Sequence, residues 1–264
     1  MRSSEWLSLS DFRALTALAW LRPLPASRRL QISAIGVAMG VAILRLPRFG
    51  PGLVRDWCGP MALVLAGYYL SGRFFVSPST AFEHWLMSWD LRLLGDPTKR
   101  FARWPGPLLA YLEIVYMGCF LLPPAGFAAL VLTGRAGLAD RYWTMVMGAE
   151  FGAFASLSLI QSRPPWLIER RAVLPDRAIH RLASQMVEHF TIRANTFPSG
   201  HVAGSLAVAF ALLGPMPWVG IAMLFLAGTI SVACIVGRYH YVVDGVAGAA
   251  LALFVWAIVF RFGP

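Results

Sequence analysis

The sequence has few charged residues. Of its 264 residues, 14% are Asp, Glu, Lys or Arg, about half the share typical of soluble domains. Hydrophobic residues make up 58%. A soluble fold of this length needs more surface charge, and a disordered chain is not this apolar. Both classes are excluded, and most of the chain is expected to lie in lipid.

Lysine and acidic residues are scarcer still. Lys and Arg number 23 against 13 Asp and Glu, a net charge of +10, and Lys99 is the single lysine. Arginine binds phosphate oxygens through paired hydrogen bonds and stays charged, so an arginine excess can indicate phosphate recognition. A GC-rich genome gives the same excess. No basic stripe on a polar face is present, which argues against a nucleic-acid partner.

Cysteine is rare as well. Cys58, Cys119 and Cys234 are isolated within apolar runs, which indicates neither a disulfide framework nor a thiolate metal site. Residues before Arg28 contain no small-residue cleavage site after an apolar core. We therefore expect no cleavable signal peptide.

Long uncharged runs predict membrane-spanning helices. They cover residues 30–44, 57–72, 114–134, 142–162 with one glutamate, 194–237 and 245–260. About 20 residues cross a bilayer, and the sequence GPMP interrupts the fifth run near its middle, so that run predicts two spans. We expect an all-α integral membrane protein with a six-helix transmembrane core and an additional N-terminal span.

Other segments are amphipathic. Apolar side chains recur at helical spacing in residues 8–21, and residues 77–106 and 176–190 combine aromatic, basic and apolar positions. Such segments are typical of interfacial helices on a membrane surface. The predicted organisation is an N-terminal interfacial segment at 1–29 followed by one transmembrane domain at 30–264.

The positive charges divide unequally between the two predicted sides. With seven spans, 17 Lys and Arg residues lie on the side of the N-terminus and of loops 73–106, 161–198 and 237–241, and 6 lie on the other. The positive-inside rule makes the richer side cytoplasmic. Arginines that bind phosphate raise that count for a different reason, so the membrane face stays open. We expect a bacterial plasma (inner) membrane.

Three loops on one predicted side carry candidate functional residues. The first is NTFPSGH at 195–201, directly before an apolar helix. Pro and Ser there are ordinary helix-capping residues. Yet Gly200 lets a ligand approach the backbone, the free N–H groups of a helix N-terminus favour an anion, and His201 can exchange a proton.

The second loop is GRYHYVVD at 237–244. His240 and Asp244 are four residues apart and share a helix face, so the carboxylate can orient the imidazole, and Arg238 adds a fixed positive charge. The third loop, SRPP at 162–165, presents Arg163 at the end of an apolar run. Taken singly, a His–Asp pair of this kind is more often a structural contact, and such an arginine is more often an interfacial anchor.

Together, the three loops resemble the type-2 phosphatidic acid phosphatase superfamily of membrane lipid phosphatases and phosphotransferases. The resemblance covers residues 57–264 and rests on the order RP, FPSGH, an apolar hairpin and HYxxD. It implies that His240 is the nucleophile that forms a phosphohistidine, that Asp244 orients it and that His201 protonates the leaving group. It also implies that the substrate phosphate is held by Ser199 and Gly200.

The chain departs from the family pattern at two positions. In the family motif KxxxxxxRP the lysine position is Ser156, and the arginine usually six residues before the nucleophile is replaced by Cys234. Arg238, two residues before His240, supplies a charge instead. This spacing, with a tyrosine after the histidine, resembles the branch of inositol phosphorylceramide synthase and its bacterial relatives, which contains transferases.

These observations predict an enzyme acting on a lipid phosphate. Arg163 and Arg238 are expected to counter the phosphate charge, and no metal or other cofactor is expected. Three alternatives stay open: a headgroup phosphotransferase with an alcohol acceptor, zinc ligation by the two histidines and the aspartate, and a non-catalytic transporter or lipid-binding protein. The lipid and the oligomeric state stay open too.

Overall fold

The computed structural model describes residues 1–169 and 178–262, and these residues are almost entirely helical. No strand occurs among them, which confirms the all-α class. The helices are α1 (Ser3–Leu21), α2 (Ala26–Arg45), α3 (Gly59–Gly72), α4 (Thr80–Leu94), α5 (Pro97–Phe101), α6 (Gly106–Gly118), α7 (Leu122–Leu132), α8 (Ala139–Ala155), α9 (Pro165–Ile168), α10 (Ala178–Phe190), α11 (Gly200–Leu213), α12 (Pro217–Val236) and α13 (Val242–Phe262).

Four helical stretches are long and apolar enough to cross a membrane. They are Ala26–Arg48, Gly106–Leu132, Pro217–Val236 and Val242–Phe262. The protein is therefore an integral membrane protein, and the short apolar run at 30–44 lies inside the first stretch. α3, α8 and α11 have 14, 17 and 14 residues, which is short for a full span. The six-helix count is not confirmed.

α11 is the central helix of the bundle. It packs against α7, α8, α12 and α13. Its Ala203 and Ala207 are fully buried, and small side chains of this kind let neighbouring helices approach closely. On α13, a Cβ at Gly248 would lie only 2.7 Å from the Ser199 carbonyl oxygen. The N-terminal ends of α11 and α13 are thereby held together.

The N-terminal helix α1 runs beside α8 and packs against α2. Ser4 Oγ donates to Asp140 at the start of α8 at 2.8 Å, and Arg22 Nη2 donates to the Leu159 carbonyl just after its end at 3.1 Å. Phe12 is buried in the same hydrophobic core as residues of α2, α3 and α8. α1 is thus part of the bundle, and the boundary at residue 29 stays a prediction.

The position of the N-terminus corrects the division of charges. Arg2 forms an ion pair with Asp56 just before α3, and Arg55 pairs with Glu5 at 2.7 Å. α3 ends near Ile192 and the motif loops. α1 runs the length of α8, with its first residues at the start of α8 and Arg22 near its end. Arg2 therefore lies at the opposite end of the bundle from the motif loops. The 17-to-6 division placed it on the wrong side.

α10 has the expected amphipathic form. Ala183 and Val187 are buried, and Val187 packs in the cluster that includes residues of α6 and α12, whereas Leu182 and Phe190 are exposed. Exposed apolar side chains on one face are typical of a helix at a membrane surface. The first two residues of the predicted segment 176–190 lie outside the described residues.

Candidate active site

The loop before α11 fixes Ser199 and Gly200 at the helix N-terminus. Ser199 Oγ accepts a hydrogen bond from the Val202 N–H at 3.4 Å, and Thr196 Oγ1 accepts one from the Gly200 N–H at 3.2 Å. Such capping bonds fix the first turn of a helix. A Cβ on Gly200 would lie 3.0 Å from the Phe154 ring, so glycine lets α11 begin directly against the end of α8.

The turn between α12 and α13 directs His240 toward α11. The N–H groups of Tyr239 and His240 both donate to the Cys234 carbonyl, at 2.9 and 3.0 Å. Arg238 adopts a left-handed backbone conformation with φ of 59°. Because a side chain disfavours that conformation, contacts of Arg238 must hold it.

Asp244, His240 and His201 form a continuous chain of polar contacts. Asp244 Oδ2 lies 3.3 Å from His240 Nδ1, and His240 Nε2 lies 3.3 Å from His201 Nδ1. The same Asp244 oxygen accepts the Tyr241 N–H at 3.0 Å. An ionised carboxylate only accepts hydrogen bonds, so it places the proton of a neutral His240 on Nδ1. The lone pair of His240 is then on Nε2, the atom that faces His201.

Three buried polar atoms near this chain have no hydrogen-bond partner in the described part of the protein. They are Asn195 Oδ1, His201 Nε2 and Asp244 Oδ1. Buried polar atoms are rarely left unpaired in folded proteins. Such atoms are available to a substrate or to water, and their concentration in the motif loops favours a functional site.

The imidazole rings of His201 and His240 are in direct contact, so the space between them is closed. A nucleophile and the atom that it attacks stand about 3–3.5 Å apart before reaction. Nitrogen atoms that are 3.3 Å from each other leave no room for a phosphoryl group between them. Substrate binding between His201 and His240 therefore requires the two rings to separate.

Aromatic rings support one side of His201. Tyr116 of α6 stacks on the His201 ring at 5.2 Å between centroids and on Tyr239 at 3.8 Å, and the Phe120 ring stands edge-on to His201 at 5.6 Å between centroids. The Tyr239 hydroxyl donates to Glu113 Oε2 at 2.6 Å. These contacts fix the plane of the imidazole and connect it to Tyr239 of the α12–α13 turn.

The Arg163 loop adjoins the α11 loop and is bound by a carboxylate. The Asn195 N–H donates to the Ser162 carbonyl at 2.8 Å. Arg163 makes a bidentate pair with Glu83 of α4, with Nε–Oε1 at 2.9 Å and Nη2–Oε2 at 2.7 Å. This bonding raises the pKa of Arg163 above its ordinary value, and 41% of its side chain stays exposed.

Arg238 is held by two carboxylates. Its Nη1 lies 2.7 Å from Asp90 Oδ2 of α4, while Nη2 and Nε lie 2.6 and 3.1 Å from the carboxylate of Glu169. Burial lowers the pKa of Arg238, but the bonds to Glu169 and Asp90 outweigh this and raise it, so the group stays charged. Only 8% of the side chain is exposed.

The structure therefore brings together the predicted residues of all three motif loops and adds three carboxylates to them. Glu83, Asp90 and Glu169 lie beside the two arginines expected to bind phosphate, and the sequence analysis did not include them. The spacing of Glu83 and Asp90, seven residues apart on an amphipathic segment, was a usable signal. The roles of Arg163 and Arg238 toward phosphate stay predictions.

No group of three or more His, Cys, Asp or Glu residues is arranged to hold a metal ion in the part of the chain that the structure describes. His201, His240 and Asp244 form a line of pairwise contacts instead. The absence of a cofactor stays a prediction.

Comparison with known protein families gives a match. A family model for the PAP2 superfamily matches residues 84–258, well over half of the chain and all three motif loops. No curated protein and no solved structure matches the sequence. The chain belongs to the PAP2 superfamily, the type-2 phosphatidic acid phosphatase superfamily that its motifs resemble, and this membership implies phosphoric ester hydrolase or phosphotransferase activity.

Proposed function

We propose that the protein is a membrane lipid phosphatase that cleaves a phosphate monoester or pyrophosphate of a lipid through a phosphohistidine intermediate. The observation that carries the proposal is the chain from Asp244 through His240 to His201. It supplies an oriented nucleophile with its lone pair on Nε2 and, directly opposite, a second imidazole that can exchange a proton.

In the first step the phosphoryl group lies between the two rings. His240 Nε2 attacks phosphorus, a P–N bond forms and the P–O bond to the lipid breaks. Protonated His201, which the anionic phosphate favours, gives its Nδ1 proton to the leaving oxygen. In the second step His201 Nδ1 takes a proton from water, the oxygen attacks phosphorus and His240 is released. No metal ion is required.

The phosphate oxygens need positive groups around them. Ser199 and Gly200 lie at the N-terminus of α11, where the helix dipole favours an anion. Arg163 is the more exposed arginine and can exchange part of its Glu83 contact for a phosphate oxygen. Arg238 is the second proposed counter-charge. Positioning and electrostatic stabilisation then account for most of the catalysis.

A headgroup phosphotransferase of the inositol phosphorylceramide synthase kind is the second candidate. Arg238 lies two residues before His240, and Tyr241 directly follows it. Both features favour the inositol phosphorylceramide synthase branch. The chemistry differs only in the second step, where a lipid or sugar alcohol replaces water as the group deprotonated by His201. A non-catalytic transporter or lipid-binding protein is disfavoured, because binding alone does not need the whole Asp–His–His chain.

A product analysis tests the proposal. The protein, purified in detergent with and without a chelator, is assayed on phospholipids and prenyl pyrophosphates for released phosphate and for new lipid products. We expect turnover that the chelator does not change and that His240→Ala abolishes. New phospholipid formed only with an added alcohol would establish the transferase. Dependence on added zinc would support the metal alternative, and unchanged turnover in His240→Ala would exclude the mechanism.

Localisation is part of the proposal. We propose the bacterial plasma membrane, with the site at one membrane interface. A cysteine introduced before Phe197 and tested with a membrane-impermeant label in intact cells identifies the face, because that loop lies beside the site.

A further inference from the structure

Asp90 of α4 contacts the chain on both sides of His240. Its Oδ2 binds Arg238 Nη1 at 2.7 Å, and its Oδ1 accepts the N–H of Val242 at 2.8 Å. Arg238 and Val242 stand two residues before and two residues after His240. One carboxylate therefore brackets the segment that carries the proposed nucleophile.

This bracket is rigid and buried. Asp90 is 1% exposed, and both of its oxygens are used in the two contacts. Hydrogen bonds that involve an ionised group are shorter and stronger than neutral ones. Glu169 binds the other side of the Arg238 guanidinium, so that arginine cannot turn away without breaking bonds to two carboxylates.

The backbone of the turn needs such support. Arg238 has φ of 59°, a conformation that non-glycine residues adopt only when surrounding contacts impose it. The N–H groups of the next two residues then donate to Cys234, which ends α12 and aims His240 at His201. Contacts that hold Arg238 in place therefore also set the direction of the imidazole.

α4 serves the Arg163 loop in the same way. Glu83 lies seven residues before Asp90, on the same face of α4. It binds the side chain of Arg163 and also accepts the main-chain N–H of Arg163 at 2.8 Å. Leu86 between them is fully buried. The inner face of α4 thus contacts two of the three motif loops, although α4 itself contains none of the motif residues.

We infer that Asp90 is a positioning residue for His240, and that it acts through Arg238 and the Val242 N–H. This inference rests on the proposed function. Arg238 then belongs to the same support, and it contributes its charge to the site without binding a phosphate oxygen directly. A small displacement of the attacking atom is enough to lower the rate of a group transfer strongly, so loss of this support lowers kcat while substrate binding is kept.

The test compares two buried aspartates in the full-length protein. Asp90→Asn keeps the shape of the side chain and removes its charge. We expect kcat to fall about 10–100-fold with KM within about 2-fold of the wild type, because the nucleophile is misplaced and the phosphate-binding groups are intact. Asp56→Asn is the matched control, since Asp56 is buried and paired with Arg2 at the far end of the bundle. It lowers thermal stability and leaves kcat unchanged.

A double-mutant cycle separates positioning from phosphate binding. If Arg238 and Asp90 act as one unit, Asp90→Asn with Arg238→Gln loses no more kcat than the worse single variant. If Arg238 binds phosphate independently, Arg238→Gln raises KM and the two losses multiply, which overturns the inference. Where Asp90→Asn fails to fold, Asp90→Glu keeps the charge with a longer side chain, and we expect the same loss in kcat rather than in KM.

His240→Ala in the same assay separates a failure of the proposed mechanism from a failure of the proposed role of Asp90. If it retains turnover, the proposed mechanism fails. If it is inactive while Asp90→Asn has the kcat and KM of the wild type, the mechanism stands and the positioning role of Asp90 is overturned.

Discussion

His201 Nδ1 lies 3.3 Å from His240 Nε2, so the proposed general acid covers the proposed nucleophile. In the proposed mechanism Asp244 holds the proton on His240 Nδ1, and the attacking lone pair points along the line on which phosphorus and the leaving oxygen lie. A substrate that enters this line replaces the contact between the rings with one bond to each of them.

The first prediction concerns the leaving group. His201→Ala removes the proton donor, and the loss depends on how much protonation the leaving oxygen needs. For an alkyl phosphate lipid we expect kcat to fall by about 10²–10⁴-fold. For an aryl phosphate, whose leaving oxygen is stable as an anion, the loss is at least tenfold smaller. Steady-state assays on both substrates check this, and equal losses would contradict the role of His201 as acid.

The second prediction concerns the tautomer of His240. In Asp244→Asn the amide NH₂ can donate to Nδ1, which moves the imidazole proton to Nε2 and removes the attacking lone pair. We expect kcat to fall by about 10²–10⁴-fold while the protein stays folded. The rate of phosphate release and the thermal midpoint are measured together. A variant with wild-type rate would show that Asp244 does not orient the nucleophile.

The third prediction is a pH dependence of stability. Burial raises the pKa of Glu83, but hydrogen bonds from Arg163 outweigh it and bring the pKa below its ordinary value of 4.5. A carboxyl with a lowered pKa stabilises the folded state fully above its unfolded pKa, and that contribution is lost as the pH falls through the lowered pKa.

Glu83→Gln therefore lowers Tm at pH 7, and the difference from the wild type shrinks as the pH falls below 4.5. Thermal unfolding in detergent at a series of pH values measures this difference. If the difference is the same at pH 7 and at the acid end, the Glu83–Arg163 pair does not contribute as described.

The fourth prediction tests the contact between α11 and α13. A methyl group at Gly248 would lie 2.7 Å from the Ser199 carbonyl and 3.1 Å from the Val202 side chain. Gly248→Ala therefore forces the two helices apart at the site and costs about 1–3 kcal/mol of stability. It also lowers kcat, because α11 carries His201 and the turn directly before α13 carries His240.

Gly228→Ala is the matched control for that variant. A Cβ at Gly228 of α12 meets no atom within 4 Å, so alanine there is expected to be neutral or slightly stabilising, as in any exposed helix position. Equal behaviour of the two alanine variants in Tm and kcat would show that the close approach at Gly248 does not position the site.

The contacts within each motif loop were predictable because the residues that make them are close in the sequence. His240 and Asp244 are one helical turn apart, and a motif loop before an apolar helix places Ser199 at a cap. The partners of the arginines were not predictable in this way. Asp90 is 148 positions from Arg238, and only the packing of α4 against α13 brings them together.

Hydropathy also described the membrane core only in part. Apolar length identified the long stretches, including Ala26–Arg48, but it did not indicate that α1 belongs to the bundle. The reason is chemical, since α1 buries serines that hydrogen-bond internally. Ser8 Oγ donates to the Ser4 carbonyl at 2.8 Å and also contacts Met147 of α8. A hydropathy analysis assigns serines to the surface, although their hydroxyl groups can be buried when they form hydrogen bonds inside the bundle.

The most direct test of the central claim is to trap the phosphoenzyme. The protein is mixed with a substrate labelled in the transferred phosphate, quenched within one turnover, and digested for peptide mapping. The account predicts an acid-labile, base-stable phosphoramidate on His240, absent in His240→Ala and longer-lived in His201→Ala when an aryl phosphate is the donor. Turnover with no covalent label, or a label on another residue, would contradict it.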